Sequence, residues 1–222
     1  MSKKTNPYLN KERLEMFCDG VFAIAITLLI LEIKIPKRED LLVTGGLYNY
    51  LIKIWPTYLS YILGFLSIGI YWSNHHWLFS FIKKTNHVFN LLNVVSLMTI
   101  ATMPFTTAIL GEYILDPEYR NAAVTAYCIG YTLPIPGITF VVLYATHNHR
   151  LVDPRLSKKF INNLLVKLIT GLCISFVSIA LSFHYPMVSI GLVVLAFLAY
   201  LLPPETPVYI NDKGEPETIE KK

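Results

Sequence analysis

Charge is what this chain has least of. Only 15% of its 222 residues are Asp, Glu, Lys or Arg, against roughly a quarter in soluble proteins. Mean hydropathy is +0.48. These values exclude a soluble globular domain and predict an integral membrane protein whose chemistry sits in or at the bilayer, with no nucleic acid as a partner. Cysteine is scarce as well. Cys18, Cys128 and Cys173 lie far apart, each in an apolar run, and read as buried thiols rather than a disulfide or a metal site. The sequence also lacks the HExxH helix of zinc hydrolases, a glycine-rich phosphate loop and a nucleophile elbow. These absences leave enzyme chemistry and a cofactor without support.

What the chain does have is apolar length. Residues 1–12 form a polar, basic leader expected to be cytoplasmic, and residues 13–204 hold six apolar runs, each near a bilayer span. The first covers residues 13–35 and ends in Leu-Glu-Ile-Lys, which is no cleavage site, so it is expected to stay in the mature protein. The second is expected to be one helix from Tyr48 to the basic stop at Lys83 and Lys84. The third covers residues 88–110, with Asn93 and Pro104 inside it. The fourth, residues 122–146, is interrupted by Pro134, Pro136 and Gly137, so a kink is expected, its freed carbonyls met by neighbours. The fifth covers residues 160–183 and the sixth residues 187–202. The polar tail, residues 205–222, is expected to be cytoplasmic and disordered.

Six crossings place both termini on one side. Lys and Arg number four up to and including Arg13, two after the second run, four after the fourth and three in the tail, against four on the opposite side. The positive-inside bias then puts both termini in the cytoplasm. Small residues at four-residue spacing, Ser60/Gly64, Ala126/Gly130, Gly171/Ser175 and Ser178/Ser182, predict close helix packing.

Within the first run Asp19 stands out, because an acid inside a span costs up to roughly 3 kcal/mol at mid-membrane and so calls for a partner. Arg13 is on another face, and Glu15, one turn back, is a like charge. His75 and His76, at the inner end of the second run, share its level. A cluster of Asp19, Arg13, one of these histidines and Trp72 or Trp77 is expected. The alternative is a hydrated carboxylate at the positive end of the helix. Further along, Ile24, Leu28 and Leu31 recur on one face with Thr27 beside them. Taken alone, that stripe reads as core packing within one subunit.

His75, His76, His147, His149 and Asp153 all fall on the cytoplasmic side but in no metal-binding pattern, and read as interfacial side chains bonding locally. So few acids and histidines lie deep in the spans that a proton-coupled pump is disfavoured. A path for ions would be lined by apolar side chains, which gate by wetting and dewetting. A transporter with its substrate site at the kinked fourth run is the alternative, and a membrane enzyme using the histidines a distant third.

Arg13 followed by FCDGVFAIAITLLILEI from Phe17 resembles the first-helix signature of the transmembrane protein 175 family of potassium channels, RxxxFSDGVFAI, with Cys18 in place of serine. Trp72-Ser-Asn-His75-His76-Trp-Leu-Phe79, the NLLN segment ending at Asn93 and the run from Met103 are similar to the family's second- and third-helix motifs. The resemblance implies a prokaryotic member: an all-α homotetramer of six-helix subunits in the cell membrane, with first helices lining a central pore for K⁺. It implies Ile24, Leu28 and Leu31 as a hydrophobic constriction, Ile24 the narrowest ring, Thr27 a hydroxyl beside it, and Arg13, Asp19, Trp72 and the histidines as the cluster holding that helix. Potassium would be favoured modestly, because it gives up water more cheaply than sodium. No TVGYG-like filter or arginine-rich voltage sensor is present.

Overall fold

Proline stands in the first turn of four of the described helices. In the computed structural model, which describes residues 11–202, 204–211 and the backbone of 216–217, helix α1 spans Lys11–Leu28 and tightens into a 3-10 turn over Leu29–Glu32. Helices α2 (Arg38–Thr44) and α3 (Leu47–Lys53) follow. Gly45 and Gly46 between them take φ of +76° and +122°, which a side chain would resist. Helix α4 (Trp55–Phe81) is bent 48° from α3. The expected single helix from Tyr48 onward is therefore corrected. Pro56 has no N–H to return to Ile52, so it opens a new helix instead.

Pro104 likewise separates α5 (His87–Ile100) from α6 (Met103–Tyr113), and Pro134 separates α7 (Arg120–Thr132) from α8 (Pro134–Thr146). Each of these pairs still runs on as one span. Tyr71 donates its hydroxyl to the Tyr131 carbonyl at 2.6 Å, just before Pro134. Helices α9 (Lys158–Ser182) and α10 (Pro186–Tyr200) complete the bundle. Among the described residues, Lys11–Glu32, His87–Tyr113, Arg120–His149 and Lys158–Ser182 are long and apolar enough to cross a membrane, α3 with α4 qualifies as a bent pair, and Pro186–Tyr200 is shorter.

The small residues sit where helices touch. A Cβ on Gly64 would stand 2.8 Å from Thr107 Cγ2, and one on Gly111, Gly130 or Gly171 would collide with Ser60, Thr106 or the Tyr200 hydroxyl. Ser189 donates to the Ser178 carbonyl at 2.7 Å, and Ser182 shares a hydrogen with Thr125 at 2.7 Å. Cys18 and Cys128 are buried, but Cys173 is exposed, because it lies on a side of α9 that the described residues leave uncovered. That corrects the expectation of three buried thiols.

Segments distant in sequence meet at one end of the bundle. Lys83 and Lys84 donate their N–H groups to the Leu151 carbonyl at 2.8 and 3.2 Å, and Lys11 Nζ donates to the Phe79 carbonyl at 2.7 Å. The tail joins them. Ser157 donates to Val208 O at 2.8 Å, Ile210 to Arg155 O at 2.9 Å, and Tyr209–Ile210 (β1) pairs antiparallel with Pro216–Glu217 (β2). Tyr209 is buried. The disorder expected from residue 205 thus does not hold for residues 208–210, where paired backbone replaces water. Tail residues 212–215 and 218–222, and leader residues 1–10, lie outside the described residues. Arg155 bonds the Asp153 carboxylate by side chain and backbone N–H, which holds its pKa below the usual carboxylate value.

Candidate functional site

Helix α1 has two unlike sides. Leu14, Cys18, Phe22, Ala25 and Leu29 recur at three- and four-residue steps and are buried against α4 and α5. Opposite them, Ile24 is 61%, Leu28 44% and Leu31 68% exposed, and Met16 and Phe17 extend the bare apolar strip toward the helix start. The stripe is therefore not core packing within one chain. Thr27 lies on the same exposed side and returns its hydroxyl to the Ala23 and Ile24 carbonyls at 3.0 and 2.9 Å. Its donor is used within the helix, and its oxygen lone pairs face outward.

Asp19 and Trp72 meet as expected: the indole Nε1–H donates to Asp19 Oδ1 at 2.8 Å. His76 stacks on Trp72, ring centroids 6.0 Å apart. His75 turns the other way. It is buried, stacks on Phe79 at 4.5 Å, touches Phe22 at 5.5 Å and lies 3.2 Å from Asn93 Oδ1. Asn93 donates its amide to Phe89 O at 2.9 Å, so its oxygen is left to accept from His75 Nε2–H. One cluster was expected and two half-clusters are found. An exposed one joins α1 to α4 through Asp19, Trp72 and His76, and a buried one joins α4 to α5 through His75 and Asn93. Arg13 is exposed and has no hydrogen bond or ion pair with the described residues, while Trp77 packs on Phe81 and Phe160.

The remaining histidines do not converge. His147 lies beside Asn148, and His149 donates to the Leu156 carbonyl at 3.0 Å. No group of three metal-ligating side chains occurs among the described residues. The prolines of the fourth run expose no unwound segment for a substrate, since Leu133 keeps its helical bond to Ile129 at 2.9 Å. The sequence reading missed two residues. Asn93 was noted only as part of a motif, although an amide four residues after Phe89 in an apolar run signals a buried acceptor. Lys167, a cation inside the fifth run, was passed over, and it reappears below.

Comparison with known proteins follows the same residues. The family model described as "Endosomal/lysosomal potassium channel TMEM175" matches residues 13–104. A potassium channel from Streptomyces collinus is 41% identical over 64% of this chain and 68% of its own length. Another from a Chryseobacterium species is 32% identical over 88% and 94%. The crystal structure of a lysosomal potassium-selective channel TMEM175 homologue from Chamaesiphon minutus superposes with a TM-score of 0.76 at 32% identity, covering 86% of this chain and 96% of that one.

Proposed function

The chain belongs to the TMEM175 family, a family of channels and not of enzymes, and from that premise we propose that it forms a passive, potassium-preferring cation channel whose pore is lined by α1. The observation that carries this reading is the two-sidedness of α1. One side is fixed to α4 and α5. The other leaves Ile24, Thr27, Leu28 and Leu31 uncovered by the described residues of its own chain. One copy of a helix cannot enclose a pore, so the proposed assembly is a symmetric homotetramer in the cell membrane. Each subunit crosses six times, with α10 as the short sixth span. Both termini face the cytoplasm; the meeting of the Lys83, Leu151 and Val208 segments with the start of α1 at one end supports that count.

Ile24 is proposed as the narrowest ring, with Leu28 and Leu31 continuing the constriction and the lone pairs of Thr27 beside it. K⁺ passing such a ring keeps most of its water and loses the rest at less cost than Na⁺, which gives a modest preference. Asp19, Trp72 and His76 anchor α1 from the exposed side and His75 supports it through Phe22. Arg13 is left to reach another subunit or water.

The reading is tested by cation flux into liposomes holding the purified protein, comparing K⁺, Na⁺ and a bulky organic cation for wild type and Leu28→Ala. Passive K⁺ flux above Na⁺ that changes with the substitution is expected. Flux indifferent to Leu28→Ala, or none from a folded oligomer, would reject it.

A further inference from the structure

Helices α9 and α10 are unequal, and a cation sits at the step between them. At 1.5 Å per residue, the 25 residues of α9 reach about 37 Å and the 15 of α10 about 22 Å. A hydrocarbon core of roughly 30 Å is therefore crossed by the first and not filled by the second. The two helices are joined by a short turn at one end, so α10 stops at the level of Lys167. The Tyr200 ring confirms this, with Lys167 Nζ 5.2 Å from its centroid and its hydroxyl against Gly171. Beyond Leu202, among the described residues, the irregular segment 204–208 continues toward Ser157.

Lys167 is exposed, lies about 14 Å along α9 from its start, and has no acidic partner among the described residues. It borders a cavity of about 60 Å³ walled by Ile135, Ile138, Val142, Leu164, Leu168 and Phe197. At Ile70, Asn74 and Tyr200 this cavity adjoins a cleft of about 280 Å³. An ammonium in hydrocarbon is costly unless an anion or water reaches it. Membrane surfaces supply anions as lipid phosphates.

We propose that the step below α10 is a binding site for an anionic glycerophospholipid: its phosphate pairs with Lys167, its polar head lies against Asn74 and the Tyr200 hydroxyl, and one acyl chain enters the apolar cavity. Charge complementarity selects this occupant over a neutral lipid, and the mixed lining selects it over a second protein copy. The site is separate from the face of α1 assigned to the pore.

Trp77 lines the same cavity and is the reporter. The purified full-length protein is placed in phosphatidylcholine vesicles carrying equal fractions of brominated-chain phosphatidylglycerol or brominated-chain phosphatidylcholine. Quenching is compared with that of Trp77→Phe to isolate this indole. The expected result is a preference for the anionic lipid of about fivefold, the scale of one basic residue at an anionic surface. Lys167→Gln should abolish the preference and Lys167→Arg retain it. Equal quenching by the two lipids, or a preference that survives Lys167→Gln, overturns the proposal. So does a Trp77 that neither lipid reaches, which would mean that protein fills the cavity.

Discussion

Asp19 is held by one indole, and the choice of replacement separates its charge from its hydrogen bond. Asn at 19 still offers an oxygen to Trp72 Nε1 and should leave thermal stability nearly unchanged. Asp19→Leu orphans the donor and should cost about 1 kcal/mol, since the pair is partly solvated, read as a lower melting temperature of the purified protein. An equal loss for both variants would mean that the charge matters and the bond does not. His75→Leu preserves volume but leaves Asn93 Oδ1 buried and unpaired, for which about 1–3 kcal/mol is expected. A variant as stable as wild type would remove His75 from the anchor. That Asp19 needs a partner from the inner end of the second run was legible in the sequence, which left Trp72 and Trp77 open; the structure decides for Trp72. Which histidine turns inward was not legible. Adjacent residues on a helix point about 100° apart, and Phe22 and Asn93, from two other helices, decide between them.

Among the helices, hydropathy located the long apolar runs, and proline explained where they divide. The bend at Ile54 is not legible because Trp55-Pro56 lies near the start of a run that reads as one helix from Tyr48, when the chain before it forms a short helix of its own. Small residues announced close approach, but not their partners. Gly130 faces Thr106 of α6, a pairing across sequence that no spacing reveals. Gly130→Leu should overpack this contact at a cost of about 1–3 kcal/mol, whereas Gly191→Ala, with open space around it, should be tolerated. Melting curves of the two variants check the contrast, and equal effects would show that α6 and α7 are not packed as described. The two sides of α1 were only half legible. Periodicity marked the Ile24, Leu28 and Leu31 stripe, but the burial of the opposite face against α4 and α5 was needed to show that the stripe is left bare.

At the end of the molecule where Lys83, Leu151 and Val208 lie, backbone hydrogen bonds join the segments, and the Lys11 ammonium adds a side-chain bond to the Phe79 carbonyl. Polar composition alone suggested disorder in the tail, since composition does not register two-residue pairings such as Ile210 with Arg155. Asp153 stiffens this end, and Arg155 depresses its pKa. Its contribution is full above the ordinary carboxylate pKa of about 3.9 and is lost as pH falls through the lower folded value. Amide exchange at Ser157 and Ile210, taken relative to the intrinsic rate at each pH, should therefore accelerate only under acid, and Asp153→Asn should remove that dependence. An acceleration already present near neutrality would point to another group. At the scale of the assembly, the central claim is that the bare face of α1 lines the conduction path. The most direct measurement is K⁺ flux through vesicles containing Leu28→Cys, with the exposed Cys173 replaced by serine, before and after a charged thiol reagent. Modification at position 28 is expected to change flux strongly, and the same reagent to leave the Cys173→Ser parent unaffected. Complete modification with unchanged flux would place Leu28 outside the pore and contradict the account.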